Sequence, residues 1–248
     1  MAGRRTRSRR RTWIWVLLGV AALAIIAIVL VIVLIWNLLQ PGPGGPRLPG
    51  TGPSSSAPRA TAQPADCPDV QVVVIPGTWE SSAGDDPYSP SANPNSLMLK
   101  ISKPLQDAFP DSRADVYTVP YVAQFRNPTN PADRTTDYNT SRAQGAQRAR
   151  AEIQRVAGRC PLTGFVLMGF SQGAVITGDI ASDIGNGRGP VAADQVLGVG
   201  LIADGRRQPG EAQSVGPNPN GVGADVALGG FGGIVPGIAM TGARAGHR

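Results

Sequence analysis

Short apolar segments and longer amphipathic stripes alternate along the chain from about residue 70 to residue 203. Four segments are typical of strands in a buried parallel sheet, and they cover residues 70–75, 114–119, 165–168 and 196–203. The first of these, with the sequence VQVVVI, is rich in β-branched residues and is ended by Pro76 and Gly77. The pattern therefore predicts four strands separated by other elements.

Apolar positions at helical spacing predict helices between these strands. One stripe consists of Leu97, Ile101, Leu105 and Phe109, in a helix that Pro104 should kink or shorten. A second stripe consists of Ala146, Ala149, Ile153, Val156 and Ala157, with Gln144, Arg148, Glu152 and Arg155 turned away from it. A third helix should cover about residues 173–184, and residues 126–140 should form a polar loop. Strands alternating with helices imply a parallel α/β sheet with right-handed crossovers.

The N-terminal part of the chain has a different pattern. Residues 13–36 are 24 residues without a charge, which is long enough to cross a hydrocarbon layer of roughly 30 Å at about 1.5 Å per residue. Six arginines precede this run, and tryptophans lie at both of its ends, as is typical of a membrane anchor with a cytoplasmic N-terminus. A cleaved signal peptide is the competing interpretation, but its apolar core is usually about 7 to 15 residues long.

These features divide the chain into four parts. Residues 1–12 form a basic cytoplasmic tail, and residues 13–39 form a transmembrane anchor. In residues 40–66, 12 of 27 residues are Pro or Gly, so this segment cannot bury a core and is predicted to be a linker. Residues 67–248 then form one folded domain outside the cell membrane.

Charge and cysteine content narrow the functional classes. The net charge of +6 equals the contribution of the six N-terminal arginines, so the rest of the chain is neutral and is not expected to bind nucleic acid. Two cysteines and one histidine argue against a structural zinc site, and no cofactor is indicated. In an exported domain Cys67 and Cys160 would form one disulfide, whereas in the cytosol they would be free thiols.

The sequence GFSQG, residues 169–173, makes Ser171 a candidate nucleophile. The motif is weak evidence alone, but here it follows a predicted strand and precedes a predicted helix, which is the context of a nucleophile elbow. Such a turn exposes the serine hydroxyl and directs the backbone N–H of Gln172 at a developing oxyanion. An ordinary glycine-rich turn is the alternative.

The residues from about Cys67 to Met240 resemble the cutinase-like serine esterases, in particular their membrane-anchored actinobacterial members. The resemblance consists of a cysteine before the first strand, PGTWE after it, and three later segments with the sequences RCPLTGFVLMGFSQGA, DIGNGRGP and VLGVGLIADGRRQ. It implies an α/β-hydrolase fold, a three-layer sandwich with a central parallel sheet. It also implies that Ser171 is the nucleophile, that Thr78 and Gln172 form the oxyanion hole, and that Cys67 bonds Cys160. The substrates that it implies are carboxylic esters or thioesters, often lipid-like.

The acid and base of a catalytic triad are harder to assign. In α/β-hydrolases they follow the serine in the order acid, then histidine, and His247 is the only histidine. It is the penultimate residue, where chain ends usually fray, so we expect it to lie far from Ser171. Asp204 is the better of two candidate acids but is expected to cap a turn, and Asp225 lies in a glycine-rich stretch.

We therefore expect the hydrolase domain to be incomplete at its C-terminus and to lack two triad residues. A serine esterase is the first hypothesis, although its activity would then be weak. A membrane-tethered lipid-binding domain with impaired catalysis is the second. An acyltransferase would use the same serine, so the sequence does not separate it from a hydrolase.

The predicted topology is testable on intact cells. If the N-terminus is cytoplasmic and the domain is exported, protease added outside should remove the domain, because the linker is accessible there. Immunoblotting with an antibody against the domain measures this loss. Protection in intact cells, with digestion only after lysis, would contradict the topology.

Overall fold

The structure is a computed structural model, and it describes residues 60–227 except residues 128, 131, 211, 212, 214 and 217–219. The predicted transmembrane anchor, most of the linker and His247 lie outside the described residues. None of the helices in the part of the chain that the structure describes has the length and apolar character needed to cross a membrane.

A four-stranded parallel sheet lies at the centre of the domain. Its strands are β1 (Val70–Ile75), β2 (Ala114–Thr118), β3 (Gly164–Phe170) and β4 (Val196–Ile202). They are arranged in the order β2-β1-β3-β4, so the two central strands are β1 and β3. The four predicted strands and their parallel pairing are confirmed, and their boundaries differ from the prediction by no more than two residues.

Helices connect the strands. They are α1 (Leu99–Ala108), α2 (Tyr138–Arg159), α3 (Gln172–Gly185) and the short α4 (Ala224–Ala227), with a 3-10 turn at Ala193–Gln195. Pro104 lies inside α1, which continues to Ala108. The predicted polar loop ends earlier than residue 140, because the Asp137 carboxylate accepts the Thr140 N–H at 3.0 Å and thereby caps the start of α2.

The sheet is covered on both faces. On one face Val72 and Val74 pack with Val116 and with residues of α1 such as Ile101. On the other face Val73, Ile75, Phe165 and Leu167 pack against α2 and α3, which contribute Ile153, Ile176 and Ile180. This alternation along β1 is the two-residue period of a strand buried on both sides. The predicted three-layer sandwich with a central parallel sheet is therefore confirmed.

One predicted surface residue is buried. Glu152 was placed on the exposed side of α2, yet its side chain is only 7% exposed. The cause is Gln71, a fully buried residue of β1, whose Nε2 donates to Glu152 Oε1 at 2.7 Å and to Asp115 Oδ2 at 3.2 Å. Arg155 pairs with the same glutamate, so the charge is neutralised where it enters the core. Burial also raises the pKa of the Asp115 carboxyl.

Cys67 and Cys160 form a disulfide in the structure. Their Cα atoms are 5.6 Å apart, and both residues are buried. Cys67 precedes β1, and Cys160 follows directly on α2. The bond therefore joins the two segments at the sheet edge where the strands begin, across 93 positions of sequence.

Reduction of this disulfide should destabilise the domain. A loop of this length gives a loss of up to about 4 to 5 kcal/mol in the chain-entropy description of the unfolded state. Urea unfolding followed by circular dichroism, with and without reductant, measures the difference. The double variant Cys67→Ser/Cys160→Ser should match the reduced protein and should not respond to reductant. Equal stability of oxidised and reduced protein would contradict the prediction.

Candidate active site

Ser171 occupies the turn between β3 and α3. Its backbone has φ 52° and ψ −117°, a conformation that residues with a side chain rarely adopt. The turn is fixed from both sides, because the Ser171 N–H donates to the Ile202 carbonyl at 2.9 Å and its own carbonyl accepts the Val175 N–H at 3.1 Å. The strand, the strained serine and the helix together form the nucleophile elbow that the sequence predicted.

The two glycines of the motif are required by close backbone packing. A Cβ atom placed on Gly173 would lie 2.1 Å from the Ile75 carbonyl oxygen and 2.4 Å from that of Pro76. A Cβ atom placed on Gly169 would lie 2.4 Å from the Gly173 carbonyl oxygen. All three distances are shorter than any real contact of a methyl group, so only glycine fits at either position.

The loop after β1 lies against the elbow. A Cβ atom on Gly77 would be 2.6 Å from the Phe170 ring and 3.1 Å from the Phe170 carbonyl oxygen, so this loop touches the residue before Ser171. The buried carboxylate of Glu80 fixes the loop, because it accepts the Gly77 N–H at 2.8 Å and the Leu97 N–H. Thr78, the predicted oxyanion donor, is half-buried and follows Gly77 directly.

A segment after β2 connects this loop to the elbow. On one side, the Ala123 carbonyl accepts the Trp79 N–H at 2.6 Å, and the Tyr121 hydroxyl donates to the Pro76 carbonyl at 2.6 Å. On the other side, the Gln124 carbonyl accepts the side-chain N–H of Gln172 at 3.2 Å. The segment 121–124 therefore contacts both the loop that carries Thr78 and the side chain of Gln172, the two residues predicted to form the oxyanion hole.

Ser141 of α2 bonds both Gln124 and Gln172. Its hydroxyl donates to Gln172 Oε1 at 2.9 Å and accepts the Gln124 N–H at 2.9 Å. Because Gln172 is only 2% exposed and its amide is bonded at both ends, the first residue of α3 is fixed in orientation. Tyr121, Gln124 and Ser141 were not predicted from the sequence, because no local motif marks them.

Asp204 has the structural role that the sequence suggested. It follows β4 after Ala203, and its carboxylate accepts the Arg206 N–H at 3.0 Å. Its carbonyl accepts the Arg207 N–H at 3.1 Å. Asp204 therefore caps the turn that follows the strand.

Asp225 is placed more firmly than its glycine-rich context indicated. It lies in α4, is 4% exposed, and accepts the Tyr138 hydroxyl at 3.3 Å. Its Oδ2 lies 3.8 Å from Arg206 Nε, and Arg206 also pairs with Asp179 at 3.2 Å. Burial raises the pKa of the Asp225 carboxyl, and the nearby Arg206 opposes that shift. Asp225 therefore connects α4 to α2 directly, through Tyr138, and to α3 indirectly, because Arg206 pairs with both Asp225 and Asp179.

The part of the chain that the structure describes brings no imidazole to Ser171, since the sole histidine lies outside it. Within the same residues, no group of three or more histidine, cysteine or acidic side chains could hold a metal ion. The described site thus consists of a serine at an elbow, a helix N-terminus and an adjoining loop that carries Thr78.

A protein-family model described as Cutinase matches residues 66–221. The chain is 45% identical over 202 residues to a protein named Carboxylesterase Culp6 homolog from Corynebacterium glutamicum, covering 80% of this chain and 65% of that protein. It is 30% identical over 138 residues to Carboxylesterase Culp1 from Mycobacterium tuberculosis, covering 56% of this chain and 52% of that one. The chain thus spans less than two thirds of either relative's length.

Solved structures with similar folds have low sequence identity to this chain. The catalytic core domain of acetyl xylan esterase from Trichoderma reesei is 22% identical and gives a TM-score of 0.44, covering 60% of this chain and 69% of that one. Lysin B from Mycobacteriophage D29 is 18% identical and gives a TM-score of 0.41, covering 60% and 52% of the two chains.

The glycine at position 173 gives a direct test of the packing at the elbow. Gly173→Ala should lower the free energy of unfolding by about 3 kcal/mol, because neither strand carbonyl beside it can move away. Gly158→Ala is the matched control, since Gly158 lies in α2 with no atom within 4 Å of an added Cβ. That change should be neutral or stabilising by up to about 1 kcal/mol. Urea denaturation measures both, and equal effects would contradict the packing argument.

Proposed function

This chain belongs to the cutinase family, and we propose that it is a serine carboxylic ester hydrolase that acts through an acyl-enzyme on Ser171. The observation that carries the proposal is the strained elbow, which presents the serine at the N-terminus of a 14-residue helix. Residues in such backbone conformations persist where the surrounding structure imposes them, and they cluster at active sites. The carboxylesterase names of the two relatives agree with this proposal.

The proposed reaction has two halves. In the first, Ser171 Oγ attacks the ester carbonyl carbon, its proton passes to a base, and the carbonyl oxygen becomes an oxyanion. Collapse of this intermediate breaks the bond to the alcohol, which leaves with the proton, and the acyl group stays on Ser171. In the second half, water attacks the acyl-enzyme, releases the carboxylic acid and restores the serine.

The chain's own contribution is the stabilisation of the oxyanion. The Gln172 N–H is the first donor of α3, and the positive end of the helix dipole lies at the same place. Thr78 is the proposed second donor. Its loop is held by Glu80 and Ala123, so both donors are fixed before the substrate arrives. Donors that need no rearrangement during the reaction give the greatest stabilisation.

We propose that the domain acts outside the cytoplasm and is tethered to the membrane by a single-pass anchor. The disulfide between Cys67 and Cys160 supports this location, because such bonds persist in oxidising compartments. The charge-free run of residues 13–36 after six arginines supports the anchor. The substrate would then be a lipid-like ester of the cell envelope.

Activity-based labelling tests the nucleophile. A fluorophosphonate should label the protein at Ser171, and Ser171→Ala should abolish the labelling, because the probe forms its covalent bond with the serine oxygen. Ser89→Ala, which changes an exposed loop serine, is the control and should label as the wild type does. Mass spectrometry of the modified peptide identifies the site. A folded protein that does not react would favour the lipid-binding alternative.

A second variant tests the base. We expect His247 to lie too far from Ser171 to act as its base, since a base must come within about 3.2 Å of the hydroxyl or reach it through one water. His247→Ala should therefore leave both the labelling and the turnover of a short activated ester unchanged. Turnover is measured spectrophotometrically, with Ser171→Ala as the blank. A loss equal to that of Ser171→Ala would show that His247 is the general base.

A further inference from the structure

Trp79 is an exposed aromatic residue in a strained backbone conformation. Its side chain is 55% exposed, and its φ is 68°, in the left-handed region that disfavours bulky residues. Because more than half of the residue is in solvent, burial offsets only part of this strain. Such an outlier therefore points to a role beyond packing.

Hydrogen bonds to two other segments impose the conformation of Trp79. The Trp79 N–H donates to the Ala123 carbonyl at 2.6 Å, and the Trp79 carbonyl accepts from Asn93 Nδ2 at 3.0 Å. Ala123 itself has a positive φ of 48°. Both polar groups of the Trp79 backbone are thus engaged, which fixes the indole as the exposed part of the residue.

The position of Trp79 relates it to the proposed reaction. It follows Thr78, the proposed oxyanion donor, and lies two residues from Gly77, which packs against Phe170 beside the nucleophile. Leu97, a second apolar side chain that is 37% exposed, is tied to the same loop because its N–H donates to the Glu80 carboxylate. The two exposed side chains therefore belong to the segments that frame the elbow.

The Glu80 carboxylate and the Asn93 amide, two polar groups bonded to the segment around Trp79, are engaged within the protein. The Glu80 carboxylate accepts two backbone N–H groups, from Gly77 and Leu97. Asn93 uses its amide nitrogen on Trp79 and its oxygen on the Asn95 N–H. A sugar would need such groups for its hydroxyls, whereas a hydrocarbon chain needs only the apolar surface that remains.

We propose that Trp79, together with Leu97, binds the hydrocarbon chain of the acyl group and sets the enzyme's preference for acyl length. This inference rests on the proposed function and adds a specificity-determining residue to it. Each methylene that becomes buried against the indole should strengthen binding by up to about fourfold. Esters of medium-chain acids should then be preferred over acetyl esters.

Labelling selectivity is the first test. The ratio of the labelling rates of an octyl and an ethyl fluorophosphonate should fall by about tenfold in Trp79→Ala and should be retained in Trp79→Phe, which keeps an aromatic surface. Phe109→Ala, which removes an aromatic side chain that is 49% exposed at the end of α1, is the matched control and should leave the ratio unchanged. An unchanged ratio in Trp79→Ala would overturn the proposal.

Binding without chemistry is the second test, and it separates failure of this inference from failure of the proposed function. In a full-length Ser171→Ala protein with Trp13, Trp15 and Trp36 changed to phenylalanine, Trp79 is the remaining tryptophan. In lipid nanodiscs, methyl octanoate should shift its fluorescence at concentrations where methyl acetate does not. A response to an acetylated xylo-oligosaccharide instead, or to neither ester, would overturn the proposal even if Ser171 is labelled normally.

Discussion

The approach of the first turn of α3 to the end of β1 is the constraint on which the rest of the site depends. Gly173 packs against the carbonyls of Ile75 and Pro76 so closely that no side chain fits between them. Because the helix begins so near the sheet, the chain must turn sharply after β3, and Ser171 takes up that turn with its positive φ. The same proximity brings the loop after β1 against Phe170, so Ser171 and the loop that carries Thr78 are positioned by neighbouring backbone contacts.

Backbone strain is concentrated at one edge of the sheet. Among the residues that the structure describes, four that are not glycine have a positive φ: Trp79, Ala123, Ser171 and Ala203. Each lies within five residues of the carboxyl end of a different strand, from β1 to β4. Ligands of open parallel α/β sheets bind at this edge. The opposite edge holds the disulfide and the ion pairs of Asp66 with Arg159 and of Asp69 with Arg113. The disulfide and the strained turns thus lie at opposite edges of the sheet.

A feature of this structure could be predicted from the sequence when the residues that form it lie close together along the chain. The elbow was predictable because its steric requirements fall on Gly169, Ser171 and Gly173, within five consecutive residues. The strands were predictable from their apolar composition, whereas the disulfide pairing followed from the family resemblance.

The buried polar contacts were not predictable in the same way. Gln71 draws Glu152 into the core across 81 positions, and Tyr138 reaches Asp225 across 87. Helical periodicity places Glu152 outside, since periodicity carries no information about a partner on a distant strand. The hydrogen bonds of residues 121–124 and Ser141 with Trp79 and Gln172 also join residues that are distant in the sequence.

The disulfide also determines how the domain bears mechanical force. Tension applied to the chain ahead of residue 66 reaches Cys67 before it reaches β1, and the bond passes it to Cys160 at the end of α2. The disulfide and the 22-residue helix α2 then share the force. Strand β1 is therefore not pulled away from β2 and β3 by breaking its hydrogen bonds one after another. A domain of this design can be pulled by its N-terminus while the turn that carries Ser171, at the far edge of the sheet, keeps its geometry.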